Sequence, residues 1–231
     1  MPSPSVSSRH NSLHPLLSTY IEDHISPEPE HLRRLERTTN LERINGRMCS
    51  GHVQGRLLKM LTQMINPHAA LELGTFTGYS AICIAEGLAP GATLTTVEVE
   101  DELEGPILEA FREAGADNIV LRIGDAMEVM QGMPDSSFQL IFIDADKRQY
   151  PDYYREAKRL LAPGGFIIAD NILWDGHVVE SGRHDRQTEG VRAFNDIAAS
   201  DPDMEVAIIP LRDGLSIIRK RTPAPPHTLY Q

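Results

Sequence analysis

The interior of the chain alternates short apolar runs with longer stretches whose apolar residues recur every three or four positions. The runs are ALEL at 70–73, ATLTTVEV at 92–99, NIVLRI at 118–123, FQLIFID at 138–144 and GFIIAD at 165–170. Runs this short and this apolar predict strands. Between them, 79–88 carries helix formers as far as Pro90-Gly91. Residues 101–114 place Leu103, Ile107, Leu108, Phe111 and Ala114 on one stripe, with Gly115 positioned to stop a helix. Pro106 in its early turns predicts a later start than the stripe alone. Residues 151–161 open on Pro151, put Tyr154, Ala157, Leu160 and Leu161 on one side, and meet the breaker Pro163-Gly164-Gly165. Upstream, 30–46 and 51–65 read as two helices, the second with Leu57, Leu61, Met64 and Ile65 at helical spacing.

Apolar strands alternating with helices predict a parallel sheet covered on both faces. The end of the chain departs from that pattern. EVAIIPL (205–211) and LSIIRK (215–220) are separated only by Arg212-Asp213-Gly214, which permits a hairpin and not a parallel crossover. The fold class expected is therefore α/β, a Rossmann-like doubly wound sheet, mostly parallel with an antiparallel strand at the end and helices before it. By composition, residues 1 to about 14 and the last ten, TPAPPHTLYQ, look disordered. The expected organisation is a partly flexible arm over 1–29, one domain over 30–221 and a tail over 222–231.

Charge narrows the partners. The formal net charge is −11, from 22 basic and 33 acidic residues. Such a surface repels phosphate backbones and anionic lipid, which argues against nucleic acid and membrane. No apolar run approaches the roughly 18 residues of a spanning helix. The start, MPSPSVSSRHNSLH, lacks the apolar core of a secretory signal, so a cytoplasmic protein is expected. Cys49 and Cys83, the two cysteines, form no CxxC and cannot build a four-cysteine zinc site; they read as reduced thiols.

Two constellations carry chemistry. LELGTFTGYS follows the first strand and opens a helix, and Gly74 and Gly78 allow positive φ and close approach of a ligand to the backbone. The spacing is not the GxGxxG of dinucleotide folds, and a plain strand-to-helix turn is the alternative. The next strand ends at Glu98, 24 residues after Gly74, where a carboxylate can accept two ribose hydroxyls. Glu100 rivals it, and a solvated strand end is the dull alternative. Together the two features favour a nucleoside ligand. The second constellation is acidic. FIDADK sets Asp144, Asp146 and Lys147 just past one strand, and FIIADN sets Asp170 and Asn171 just past the next, at the same sheet edge as the glycine turn. Asp144, Asp170 and Asn171 offer three hard oxygen donors, a set suited to Mg²⁺ and not to zinc. Singly, each Asp also fits a turn or cap, Asn171 a turn, and Lys147 a solvated charge paired with Asp144 or Asp146.

These residues resemble the cation-dependent class I O-methyltransferases, the group that holds catechol and caffeoyl-CoA O-methyltransferases, and most of all their small microbial members. The resemblance runs from about 47 to 220, through RMCSGHVQGRLLKML, LELGTFTGYSA, TTVE, IGDA, FIDADKRQY, GGFIIADNILWDG and DGLSIIRK. It implies a seven-stranded sheet with the last strand antiparallel, and S-adenosylmethionine as methyl donor. Glu72, Gly74, Thr77, Gly78 and Ser80 would hold its methionine part, Glu98 its ribose, Asp125 and Ala126 would border its adenine, and Ser50 and Asp144 would also touch it. Asp144, Asp170 and Asn171 would hold Mg²⁺ or another divalent cation such as Mn²⁺ or Ca²⁺, and Lys147 would be the general base. The acceptor implied is a small aromatic with adjacent oxygens, of catechol or caffeoyl type, and relatives of this kind are usually homodimers. The segment from Trp174 to Arg192 and the N-terminal arm shape the substrate end in such enzymes. Two rival readings stand beside this one: a catalytically inactive S-adenosylmethionine-binding scaffold, and a nucleotide-dependent oxidoreductase.

Overall fold

The computed structural model describes residues 15–222. The expected disorder of residues 1 to about 14 lies outside the described residues, as does that of the tail beyond Thr222. Seven strands form one sheet: β1 (Ala69–Leu73), β2 (Thr93–Glu98), β3 (Ile119–Ile123), β4 (Phe138–Ile143), β5 (Leu161–Asp170), β6 (Met204–Ile209) and β7 (Leu215–Lys220). Their order is β3-β2-β1-β4-β5-β7-β6. β1 to β5 pair in parallel, and β7 runs antiparallel between β5 and β6. The antiparallel strand is thus last in the chain but second from the edge of the sheet. The terminal hairpin folds back so that its second arm pairs with β5.

Alternation along the strands separates two cores. Leu71, Leu73, Ile141 and Ile143 face one side, with Tyr150, Tyr154 and Phe194. Ala70, Leu140, Phe142 and Ile168 face the other, with Leu58, Ile82 and Phe111. Adjacent side chains on a strand point to opposite faces, so strands buried on both sides read as continuous apolar runs. The first face is covered by α6 (Ala126–Gln131), α7 (Tyr150–Leu160) and α8 (Arg186–Ser200). The second is covered by α2 (Glu30–Glu42), α3 (Gly51–Ile65), α4 (Tyr79–Ala85) and α5 (Glu104–Ala114). One more helix, α1 (Pro15–His24), precedes them within the expected arm.

Several elements differ from the expectation. α3 does not bury the Leu57–Met64 stripe as a whole: Met64 is exposed, and the buried residues are Gly51, Gln54, Gly55, Leu58 and Thr62. The cause is close packing on α4, since a Cβ on Gly55 would stand 2.7 Å from both Cys83 Sγ and Tyr79 Cε1. Small residues therefore replace large ones at this helix contact. In α5 Leu108 is half exposed, while Ile107 and Phe111 are buried and Gly115 closes the helix at φ 63°. Pro163-Gly164-Gly165 does not end a helix. α7 stops at Leu160, and the three residues enter β5, where its register with β4 shifts. α6 was not anticipated, nor was α8, whose first turns occupy the end of the Trp174–Arg192 segment.

α8 bears directly on the site. Gly190 lies against the backbone at Lys147 and Arg148, so closely that a Cβ there would run into the Lys147 carbonyl oxygen. Gly190→Ala is expected to destabilise the protein by about 1–3 kcal/mol through overpacking against backbone that cannot yield. Urea unfolding checks this: the midpoint should fall with little change in the slope. An unchanged midpoint would show that α8 can shift without cost.

Candidate active site

Strand order reverses between β1 and β4, and ligands of doubly wound sheets occupy the crevice at such a reversal, outside the carboxyl ends of the strands. Here that point is closed tightly. The Asp144 N–H donates to the Leu73 carbonyl (2.9 Å), and the Gly74 N–H donates to the Val97 carbonyl (3.0 Å). Gly74 has φ 92°, and a Cβ on it would collide with the Asp144 carbonyl oxygen. Only glycine lets the first turn cross the end of β4 at this distance. Gly78, also at φ 92°, caps α4 and would press a Cβ against the Phe111 ring at 2.8 Å.

A cleft of about 1510 Å³ opens over this crossing. Of the site residues named from the sequence, only Glu72 and Gly78 do not line it. Glu98 ends β2 and is held by two backbone donors, Phe76 N–H to Oε2 at 2.7 Å and Glu100 N–H to Oε1 at 2.9 Å. Both oxygens keep a lone pair free, and Glu98 is only 6 % exposed. Its rival Glu100 is exposed and supplies a backbone donor to Glu98. Thr77 is tied to α2 by a hydrogen bond from Thr39 (2.9 Å). Asp125 caps α6, accepting from Met127 N–H (2.8 Å) and Glu128 N–H (3.1 Å). Ala126 opens that helix, and Ser50, buried, precedes α3.

The acidic edge is a connected network. Lys147, only 7 % exposed, donates from Nζ to Asp144 Oδ1 (2.7 Å) and to the Tyr150 hydroxyl (2.6 Å). Tyr150 in turn donates to the Asp170 carbonyl (2.9 Å). The Asp170 carboxylate accepts from Gln54 Nε2 (2.6 Å) and from Asn171 N–H (2.7 Å). Burial and the nearby Asp144 carboxylate push Asp170 up to about 6. Asn171 adopts φ 59°, and its amide nitrogen faces Asp213 at 3.4 Å. That leaves its amide oxygen free of any partner among the described residues. Asp146, by contrast, turns aside to cap the turn Lys147–Gln149 and to fork with Arg148.

Among the described residues no three His, Cys, Asp or Glu side chains gather as metal ligands. A cation at this edge would thus take two carboxylates and complete its protein donors with the Asn171 amide. The residues fit that role. The donors are hard oxygens, and burial together with the Asp144 carboxylate raises the cost of ionising Asp170, which a cation would relieve. Gln54, Tyr150 and Asp213 were not picked out from the sequence. For Gln54 and Asp213 the partners lie too far along the chain to leave a pattern, while Tyr150 reads in the sequence as one more apolar position of α7.

Residues 22–221 match a family model described as O-methyltransferase. The chain is 32 % identical over 206 residues to caffeoyl-CoA O-methyltransferase 1 of Eucalyptus globulus, which covers 84 % of this chain and 82 % of that protein. Its structure resembles an O-methyltransferase from Bacillus cereus in complex with SAH, at TM-score 0.83 and 26 % identity, over 89 % of this chain and 97 % of the other. It also resembles one from Streptomyces achromogenes in complex with SAM, an enzyme of tomaymycin synthesis, at TM-score 0.82 and 26 % identity, over 89 % and 96 %.

Glu72 is the anomaly of the donor side. It is fully buried on the apolar face shared with Ala70 and Phe142, accepts from Thr96 Oγ1 (2.5 Å), and leaves Oε1 without a partner. Burial pushes its carboxyl up to about 8 from an ordinary 4.5. The folded state then holds a proton that the unfolded chain has released, so stability falls as pH rises from about 4.5 through about 8. Glu72→Gln removes this contribution. Its stability relative to the parent should climb with pH across that window, by a few kcal/mol in total. Urea titrations of both proteins at pH 5, 7 and 9 check this, and a difference independent of pH would refute it.

Proposed function

Because the chain belongs to the O-methyltransferase family and is a S-adenosylmethionine-dependent enzyme of that family, we propose that it methylates one hydroxyl of a small aromatic with adjacent oxygens, in a reaction that requires a divalent cation. The observation that carries the proposal is that Lys147, Asp144 and Asp170, tied together from beneath by the buried Tyr150, line one cleft with Gly74 and Glu98.

The donor half of the cleft suits a nucleoside carrying a charged amino-acid chain. Glu98 offers paired acceptors for ribose hydroxyls. The turn after Gly74 brings backbone close enough to touch a ligand. Thr77 and Ser80 add hydroxyls, and the Asp125–Ala126 turn closes the wall. In the acceptor half, Asp144, Asp170 and Asn171 would hold the cation. When bound it makes a phenol more acidic and orients two neighbouring oxygens.

A phenol is protonated at neutral pH, with a pKa near the ~10 of tyrosine. Lys147 Nζ takes the hydroxyl proton, having passed its own to solvent beforehand. Asp144 and Tyr150 hold that nitrogen in place, so the proton moves over a fixed distance. The phenolate oxygen then attacks the methyl carbon in line. One C–O bond forms as the C–S bond breaks, leaving a methyl ether and S-adenosylhomocysteine. The positive sulfonium and negative oxygen neutralise each other along the path, so exclusion of water favours the step. Trp174 and the loop behind it line the cleft and are suited to that exclusion.

Two outcomes are expected. Chelation by EDTA should lower turnover of 3,4-dihydroxybenzamide on the order of a hundred-fold, and excess Mg²⁺ should restore it. Full activity in chelator would remove the cation from the proposal. Lys147→Ala should lower kcat by roughly 10²–10⁴-fold while S-adenosylmethionine affinity, measured by calorimetry, changes little. Equal losses in both would make Lys147 a structural residue and not the base.

A further inference from the structure

One wall of the cleft is the loop that leaves Asn171. The Trp174 N–H donates to the Asn171 carbonyl (3.2 Å), the Asp175 N–H donates to Asp213, and Asp213 meets the Asn171 amide at 3.4 Å. These contacts fix the start of the loop against a residue proposed to hold the cation. Trp174, His177, Val178 and Val179 of this loop line the cleft. Of the four side chains only His177 carries a nitrogen able to accept a hydrogen bond, since the Trp174 indole can only donate.

The His177 ring is held on one side and open on the other. Nδ1 is buried, has no hydrogen-bond partner among the described residues, and lies 3.2 Å from Glu180 Oε2. A bare lone pair so close to a carboxylate oxygen would be repelled. Nδ1 therefore carries the proton, and the neutral ring presents Nε2 as a bare acceptor. Nε2 meets no partner among the described residues, and the side chain keeps 21 % of its surface exposed. The backbone beneath the ring is pinned as well. Arg192 of α8 donates to the carbonyls of His177 (2.9 Å), Val178 (3.0 Å) and Glu180 (2.6 Å), and the Glu180 N–H returns to the His177 carbonyl (3.1 Å). An acceptor fixed in advance loses little freedom when a ligand binds.

Charge decides what this nitrogen can take. Glu180 sets a negative charge directly against the ring, while Arg183 and Arg192 are taken by Asp185 (2.7 Å) and Glu189 (2.8 Å). The wall thus suits a neutral donor and not an anion. We propose that His177 determines specificity: through Nε2 it accepts a hydrogen bond from a neutral O–H or N–H that the acceptor carries in addition to its two reacting oxygens. An acceptor without that group leaves Nε2 unpaired, which is how a polar site rejects the wrong ligand. The inference rests on the proposed reaction for the aromatic diol but not for the third group.

The test reads binding apart from turnover. The protein saturated with S-adenosylhomocysteine and Mg²⁺ is titrated calorimetrically at pH 8 with three ligand pairs, each differing only by methylation of the third group. Pyrogallol and 3-methoxycatechol probe a ring hydroxyl. 3,4-Dihydroxybenzyl alcohol and its benzylic methyl ether probe a tail hydroxyl. 3,4-Dihydroxybenzamide and its N,N-dimethyl amide probe a tail N–H. In at least one pair the donor form should bind roughly five- to ten-fold tighter, and that pair locates the group. In His177→Leu the ratio should fall close to one, while His177→Gln, whose side-chain oxygen can replace Nε2, should keep most of it. Both members of a pair are read on the same preparation, so a folding defect cancels in the ratio. Absence of any preference in the parent, or a preference that survives His177→Leu, would overturn the inference. Equal loss in the Gln and Leu variants would also overturn it, leaving His177 a wall contact. Methyl transfer to pyrogallol by the parent is scored separately: its absence counts against the proposed reaction, while the ratios still decide the role of His177.

Discussion

The site depends on one steric constraint, the crossing of Gly74 over the Asp144 carbonyl. Two backbone hydrogen bonds, Asp144 to Leu73 and Gly74 to Val97, carry the pairing of β1 with its two neighbours one residue beyond the strand ends. A side chain at 74 would collide with Asp144. The glycine thus lets the turn that leaves β1 and the acidic segment that leaves β4 occupy adjacent space. Without it, the donor half and the acceptor half of the cleft would be pushed apart. In-line transfer tolerates no such displacement, because reacting atoms must meet within about 3–3.5 Å.

From that crossing the electrostatics follow. Among the ionisable groups that lose most of their water here are Glu72 beneath the turn, and Asp170 and Lys147 beside it. The protein offsets the cost in different ways. Lys147 is neutralised locally by Asp144 and held by Tyr150. Asp170 accepts one side-chain and one backbone donor yet remains pushed up by its burial and by Asp144, an imbalance that a cation would correct. Glu72 has a single short bond and an orphan oxygen, and it responds by holding its proton. Of the three, only Asp170 retains an unbalanced negative charge facing the cleft, the condition a cation site requires.

What could be read from the sequence divides along the same line. The strands were legible because burial on both faces leaves an uninterrupted apolar run. The glycine turn, Glu98, Asp144 and Asp170 were legible because each sits at or just past such a run, where topology alone assigns the edge of the sheet. α6 and α8 were missed because one is only six residues long and the other opens on polar residues, RQTEG, after a charged loop. Gln54 and Asp213 were missed for a deeper reason. Their partners, Asp170 and Asn171, lie 116 and 42 residues away, and a hydrogen bond across that separation leaves no periodicity to detect. The close contact of α3 with α4 was illegible on similar grounds, since it is a property of Gly55 and Tyr79 together.

The two halves of the cleft are also built at different ranges. Most of the donor half comes from one β-turn-α-β unit, with Gly74 and Glu98 fixed by hydrogen bonds inside it, Thr77 linked to α2, and the Asp125–Ala126 turn added from beyond β3. The other end of the cleft is assembled from remote pieces: the loop from Trp174 and the β6–β7 connection. Asp213 joins these pieces, since one carboxylate oxygen meets the Asn171 amide and the other accepts the Asp175 N–H. Arg192 then pins the loop by the carbonyls of His177, Val178, Glu180 and Arg183. Trp174, Asp175 and Gly176 all hold positive φ, a costly run that persists only because these contacts impose it. On the proposed reading, substitutions in these pieces would change which molecule is accepted without disturbing the unit around Gly74 and Glu98. A rigid local donor site joined to a strapped, multi-segment acceptor site lets one chemistry serve different substrates.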